Sequence, residues 1–370
     1  MPIVLAMLQQ SQPCHGFSIR AGMAHHGPVT AYANIGASIA FALHDTMPPS
    51  RFDLLRLLSD ARLRSGAALA RELGTTPAAI QRGLRELQDL GLEMHQRAGR
   101  GYRLAEAYDC LDAAAVRAQL GARAQHFHLE LLDTCSSTNT LLLERARSGA
   151  PSGSVLACEL QSAGRGRRGN DWQSGLGGSL TFSLLWRYAQ GAAGLSGLSL
   201  AAGVACARAL ASLGIAGVQL KWPNDLLHAG RKLGGILIEV QGGTAGPCAA
   251  VIGIGLNLRL RAGLRTAIAQ AVTDLASIGE QLPQRNRLLG AALIELEQVL
   301  TQFARYGFAP LREEWMARHA HQGRPVTLSS GAGRTIAGVA AGVAEDGALL
   351  LDTACGLERF VNGDVSLRAA

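Results

Sequence analysis

Residues 221–239 read KWPNDLLHAGRKLGGILIE. Two short apolar runs flank His-Ala-Gly-Arg, so the stretch reads as two strands joined by a hairpin. It also holds the chain's two lysines, Lys221 and Lys232, among 35 basic residues that are otherwise arginine. An ammonium is a compact point charge where a guanidinium is a planar fork, so two neighbouring lysines in an arginine-rich chain mark an anion site. On adjacent strands of one sheet, both ammoniums would face one pocket. Trp222 and Pro223 stiffen the approach. Asn224 and Asp225 are turn residues that fix backbone N–H groups or help to hold a magnesium ion; for Asp225 the turn role is the simpler.

Further strands are expected in HFHLELLD (126–133), SVLACEL (154–160), SLTFSLLW (179–186) and AAVIGIGLNLRL (249–260), with helices near 138–148, 196–213 and 285–305. Strands outnumber helices and arrive in runs. Residues 124–320 are therefore expected to form an α+β domain, its helices packed on one mixed or mostly antiparallel sheet. From 322 to 370, short strands alternate with Gly-Ala-Gly, Glu-Asp-Gly and Asn-Gly-Asp, the pattern of a small β-barrel.

Residues 51–105 read differently. FDLLRLLSDARL spaces its leucines helically, GAALARELG is a second short helix, and Thr76-Pro77 opens a third, AAIQRGLRELQDLG. Ile80, Leu84 and Leu87 share one face of that third helix, and Gln81, Arg82 and Arg85 the other. LEMHQRAGRGYRL then alternates around a Gly-Arg-Gly turn, as a hairpin does. The layout is a winged helix-turn-helix, with the helix-turn-helix itself at about Gly66–Arg85. Ten arginines face six acids between Arg51 and Leu104, the surplus lying on the third helix and the wing. Gln81, Arg82, Arg85 and Arg100 are the candidate DNA contacts, to base edges or phosphates. A solvated arginine face, or a winged helix that contacts protein, is the plainer alternative.

The chain's 370 residues suffice for two or three domains. Residues 1–46 carry one arginine and no lysine, and read as a leader, either disordered or preceding a translation start at Met47. Seven scattered cysteines form no CxxC and no metal cluster. With no apolar run of membrane-spanning length and no basic secretory start, the chain reads as cytoplasmic, with no membrane partner. A net charge of +7 permits a polyanion partner without demanding one.

QSAGRGRRGNDW (161–172) formally matches the dinucleotide motif GxGxxG at Gly164, Gly166 and Gly169. No helix is expected to follow it, and Tyr188 and Ala189 stand where a ribose-binding acid belongs, so a Rossmann turn is excluded. Glycines let the loop fold closely over a ligand, while Arg165, Arg167 and Arg168 repel one another until an anion arrives. A lone arginine-glycine turn for nucleic acid is the alternative. Upstream, DTCSSTN (133–139) carries a strand into a helix: one hydroxyl caps, and the others are free for a small polar ligand.

DTCSSTN, QSAGRGRRGNDW, KWPNDLL, RKLGGILIE and GIGLNL, in this order behind a winged helix-turn-helix, resemble the bifunctional biotin protein ligases that also repress the biotin operon. The resemblance runs from about Arg51 to Arg368. It implies a class II synthetase-like catalytic domain and an SH3-like C-terminal barrel. It also implies an enzyme that uses ATP and Mg2+ to form biotinyl-5'-AMP, then passes biotin to a lysine of the biotin carboxyl carrier protein of acetyl-CoA carboxylase. Loaded with biotinyl-AMP, such a protein forms a homodimer on the operator DNA of biotin genes.

By motif, Ser137, Thr138, Asn139 and Gln161 would line the biotin pocket, and Arg165, Gly166 and Arg167 the loop closing over it. Lys221 would meet the biotin carboxylate and α-phosphate, acting with Arg165 and Arg167 as the catalytic cations. Arg168, Trp172, Lys232, Asn257 and Arg368 would serve the nucleotide. Asn170 and Asp171 stand where family members are usually basic, which trims the loop's charge. Two alternatives remain: a biotin-sensing transcription factor that no longer ligates, and a lipoate-type ligase. Replacing both Arg82 and Arg85 by Ala should abolish retention on operator DNA in a gel-shift assay and leave ligation intact; loss of both activities would contradict the domain boundary.

Overall fold

The computed structural model describes residues 50–279, 281–330, 335–361 and, as backbone, 365–369. The leader 1–46 and the side chain of Arg368 lie outside the described residues.

Helices α1 (Arg51–Leu58), α2 (Gly66–Glu72) and α3 (Pro77–Asp89) precede the hairpin of β1 (Met94–Arg97) and β2 (Gly101–Leu104). Their starts follow the local sequence: the hydroxyls of Ser50, Ser65 and Thr76 accept from the N–H three residues on, satisfying donors that a helix leaves orphaned. Ile80, Leu84 and Leu87 are buried on α3, and Gln81, Arg82 and Arg85 are exposed, as is Arg100 on the wing. The winged helix-turn-helix is thus present with its expected polar face outward.

The chain continues through α4 (Ala113–Leu120), β3 (His128–Cys135), α5 (Thr138–Arg147), β4 (Ser154–Gln161), β5 (Ser179–Tyr188) and α6 (Leu198–Ser212). Then come β6 (Val218–Lys221), β7 (Asp225–His228), β8 (Arg231–Gly242), β9 (Cys248–Asn257), α7 (Ala262–Ala267), α8 (Arg285–Tyr306) and α9 (Arg312–Ala317). Strands β3 to β9 form one sheet in the order β3-β4-β5-β9-β8-β7-β6, antiparallel except for the β3–β4 pair.

The expected arrangement of the two lysines is corrected here. KWPNDLL is not one strand: Pro223 cannot donate to a ladder, and the chain turns at 222–224, so Lys221 ends β6 and Asp225 starts β7 opposite it. Lys232 lies on β8, one strand further in. The lysines therefore flank β7.

β9 shows how side-chain alternation builds two faces from one strand. Cys248, Ala250, Ile252, Ile254 and Leu256 join the main core, with residues of α6 and α8. On the other face, Ala249 and Val251 pack with Leu142 and Ala146 of α5, and beyond them stand Gly253, Gly255 and Asn257. β5 repeats the switch, with Leu185 beside α5 and then Ser183, Thr181 and Ser179.

The C-terminal strands β10 (Pro325–Ser330), β11 (Thr335–Val343), β12 (Leu349–Thr353), β13 (Gly356–Phe360) and β14 (Val365–Ala369) form an antiparallel sheet in the order β13-β12-β11-β10-β14. The ends of the expected barrel, β13 and β14, are not paired in that order. The module shares the main core through Val326, Leu328, Val343 and Leu351, and the Trp222 indole donates to the Gly347 carbonyl at 3.1 Å.

One buried carboxylate ties the segment after the wing to the catalytic domain. Glu159 on β4 accepts from Tyr108 Oη (2.8 Å), from the Leu111 N–H (2.6 Å) and from Arg285 Nη1 of α8 (2.6 Å). Both partners of the ion pair are buried, with side chains 4% and 5% exposed. Leu176, from the loop that follows Trp172, is buried in the winged-helix core beside partly buried Leu160 and Tyr108. Glu159→Ala would strand the Arg285 charge in the interior, at a cost of about 3–5 kcal/mol. Urea denaturation should show that loss; a change below about 1 kcal/mol would contradict the assignment.

Candidate active site

The polar half of the β5–β9–β8 face is a shallow floor made by absent side chains. Gly253 and Gly255 lie opposite Leu237 and Gly235 in the β8–β9 register. The Trp172 indole lies directly on Gly255, where any Cβ would overlap the ring. A Cβ at Gly235 would meet Trp172 Cζ3 at 3.6 Å and Lys232 Nζ at 3.6 Å, so ring and ammonium share that glycine. Trp172 Nε1 and Ser179 Oγ are buried without a hydrogen-bond partner among the described residues. Such orphans in a polar recess are groups that a ligand can satisfy.

At the other end, α5 begins directly over Gly253. Ser137 is the N-cap, and Thr138 and Asn139 are buried in the first turn. The Thr138 N–H donates to Gln161 Oε1 at 2.7 Å. Ser183 Oγ lies 2.8 Å from both Thr138 Oγ1 and Asn139 Oδ1, and Asn139 Nδ2 donates to Glu239 Oε2 at 2.9 Å. A Cβ at Gly253 would overlap Asn139 Oδ1. This end of the floor is neutral, crowded and rich in directional hydrogen bonds.

The glycine-arginine loop closes on itself and on both ends of the floor. Gly166 N–H donates to the Asn170 carbonyl (2.7 Å), and Trp172 N–H to the Gly164 carbonyl (2.9 Å). Arg168 takes a left-handed backbone (φ 59°) to make the turn. Arg165 Nη2 pairs with Glu239 Oε1 at 3.0 Å, and its Nη1 donates to Thr140 Oγ1 at 3.2 Å. Arg167 Nη1 donates to Asn224 Oδ1 at 3.2 Å, beside the two lysine strands.

The register sets Lys221, Asp225, Gly235 and Gly255 in one row across the sheet, on the face of the floor, and Lys232 reaches that row from β8. Its ammonium pairs with Asp225 Oδ1 at 2.8 Å. Its backbone is bonded to Ala271 and Thr273, and Asn257 Nδ2 donates to the carbonyls of both Lys232 (3.3 Å) and Thr273 (3.0 Å). Lys221 lies at the end of edge strand β6, against residues 318–320, which bond β6 through Leu220. There it acts on buried His321, whose pKa is pushed down to about 4 by burial, Lys221, His319 and Arg324.

The structure therefore gathers Thr138, Asn139, Gln161, Arg165, Trp172, Lys232 and Asn257 around one face, with Ser137 capping α5 and Gly166 and Arg168 in the loop. Arg167 reaches Asn224 in the turn from β6 to β7, directly after Lys221, which shares a row of that face with Gly235 and Gly255. Sequence reading passed over Glu239, Ser183 and the glycines opposite Trp172. Only their place in the alternation of β5, β8 and β9 distinguishes them.

An α+β sheet with a glycine floor, behind a winged helix-turn-helix and before a small β module, is the layout of a ligase fitted with a DNA-binding domain. Comparison with known proteins agrees. Residues 131–257 match the biotin/lipoate A/B protein ligase family, 321–368 the biotin protein ligase C-terminal domain and 50–103 an HTH domain. The bifunctional ligase/repressor BirA of Salmonella typhimurium is 36% identical over 328 residues, 89% of this chain and all of that protein. The biotin--[acetyl-CoA-carboxylase] ligase of Mycobacterium tuberculosis is 36% identical over 65% of this chain and 90% of its own length. A biotin protein ligase of Aquifex aeolicus, solved with biotin and ATP, superposes with a TM-score of 0.56 at 26% identity, covering 66% of this chain and 99% of its own. The chain belongs to the bifunctional ligase/repressor BirA family.

Gly255→Ala should drive the Trp172 indole off the sheet. The emission change should vanish in a Trp172→Phe background; an unchanged spectrum from Gly255→Ala would contradict the stacking.

Proposed function

We propose that this face binds biotin and ATP, joins them as biotinyl-5'-AMP with release of pyrophosphate, and passes biotin to a lysine of a biotin carboxyl carrier protein. The observation that carries the reading is the glycine floor, bounded by Thr138 and Asn139 at its neutral end and by Trp172 and Lys232 at its cationic end. A ureido ring suits the first and an adenylate the second. The loaded protein then acts as a homodimeric repressor on operator DNA through Gln81, Arg82, Arg85 and Arg100, in the cytoplasm.

In this reading Ser137, Thr138, Asn139 and Gln161 hold the biotin ring, and Trp172 and Asn257 serve the nucleotide. Arg165, Gly166, Arg167 and Arg168 form the cover. A carboxylate attacking an α-phosphate brings two anions together, so the protein's task is screening and alignment. Lys221, in the same row of the sheet as Gly235 and Gly255, meets the biotin carboxylate and the α-phosphate together with Arg165 and Arg167, and Lys232 serves the nucleotide. Arg368 joins Lys232 in serving the nucleotide. In the second step the mixed anhydride is already activated, and the cover mainly excludes water until the carrier lysine arrives.

Magnesium enters with the nucleotide. Among the described residues no group of three or more His, Cys, Asp or Glu could hold a metal, which does not fit a protein-built site; magnesium commonly binds through substrate phosphates. No helix among the described residues is long and apolar enough to cross a membrane.

Incubating the protein with ATP, magnesium, biotin and an apo carrier domain should release pyrophosphate and label one carrier lysine. No pyrophosphate and no label would overturn the ligase reading, and lipoate attached in place of biotin would reassign the substrate. Lys221→Ala should lower biotin-dependent ATP–pyrophosphate exchange by roughly 10²- to 10³-fold, the effect of removing one positioned charge. A larger loss in Lys232→Ala would reverse the two assignments.

A further inference from the structure

Glu239 lies on β8 where the sheet face passes from the part covered by α5 to the glycine floor, opposite Val251. Its oxygens carry more than the Arg165 pair: Oε2 also accepts from Asn139 Nδ2 at 2.9 Å. A carboxylate only accepts hydrogen bonds, so the Asn139 amide turns its NH2 toward Glu239 and its Oδ1 away, with the Leu237 carbonyl a longer second acceptor for the same NH2 at 3.4 Å. That Oδ1 lies 2.8 Å from Ser183 Oγ, so the one hydroxyl proton of Ser183 goes to Asn139. Ser183 Oγ lies equally 2.8 Å from Thr138 Oγ1, and its proton is already committed, so Thr138 must donate to Ser183. With its proton turned inward, Thr138 Oγ1 can offer a ligand only lone pairs.

We propose that Glu239 is a positioning residue which sets the direction of the chain Thr138→Ser183→Asn139→Glu239 and so makes Thr138 Oγ1 an acceptor for a ring N–H of the substrate. Glu239 decides, without touching the ligand, that the pocket selects a ureido donor over a ring that has none. This deepens the biotin reading and rests on it. Asn139 and Ser183 are buried, so reversing the chain would leave like groups facing each other in a dry recess, where an unmatched polar atom is costly. The Arg165 pair reinforces the direction by engaging Oε1 and by fastening the loop to the same residue.

The test compares biotin with its two ring N-methyl derivatives, each lacking one N–H, by calorimetric titration of the full-length protein. In the native protein, methylation of the nitrogen facing Thr138 should weaken binding strongly. Glu239→Gln places an amide that can donate as well as accept, so the chain can run either way. Biotin affinity should fall about tenfold and the penalty for N-methylation should shrink by a similar factor, as expected when a directional hydrogen bond is no longer enforced. KM for ATP should stay unchanged. Ser183→Ala removes the relay while leaving the Glu239–Arg165 pair in place, and should reduce discrimination in the same way. Adding Glu239→Gln to Ser183→Ala should then reduce it no further.

Unchanged discrimination in Glu239→Gln, or additive effects in the double variant, would overturn the proposal. Should Glu239→Gln fail to fold, Ser183→Ala alone decides: native discrimination in that variant contradicts the relay. Failure of the native protein to bind biotin at all would instead sink the biotin reading itself.

Discussion

The whole site depends on backbone left bare. A β-sheet ordinarily carries a side chain on each face at every second residue, and an indole cannot lie on such a surface. At Gly253 and Gly255 the side chains are missing, and Asn139 and Trp172 occupy the space they would have filled, while Gly235 lies beside the ring. The same strands elsewhere carry Leu185, Ala249 and Val251 under α5 and a continuous apolar row against the main core. One sheet thus supplies a rigid hydrophobic core and, a few residues along, a flat polar recess.

Charge in this recess is balanced before any ligand is considered. Arg165 is paired with Glu239 and Lys232 with Asp225, so the cations are held at fixed positions by carboxylates on β8 and β7. Such pairing restrains long side chains that would otherwise sample many rotamers, and a held cation needs little rearrangement when negative charge develops nearby. The loop that carries Arg165 and Arg167 continues to Leu176, which is packed in the winged-helix core. The cover and the DNA-binding module therefore share a short piece of chain, and Glu159, linking Tyr108, Leu111 and Arg285, braces the same junction.

Most of the secondary structure was legible because it rests on local rules. Thr76-Pro77 announces α3, alternation announces β5 and β9, and spaced leucines announce the first helices. The misjudged segment was KWPNDLL, whose apolar ends look like one strand although Pro223 breaks the ladder between them. That break moved Lys221 to the sheet edge and left Lys232 beside Trp172, an outcome decided by sheet order and not by spacing. Glu239 and Ser183 were invisible for a related reason. A polar residue in an alternating strand reads as solvent-facing, and only the placement of α5 over that face encloses it.

The most direct test of the account is a crystal structure with a non-hydrolysable biotinyl-adenylate analogue. The account predicts the ring system over Gly253 against Thr138 and Asn139, the adenine against Trp172, and the Lys221 ammonium on the acyl-phosphate mimic. An analogue bound away from the glycine floor, or with the Lys221 ammonium turned away from its linkage, would contradict it.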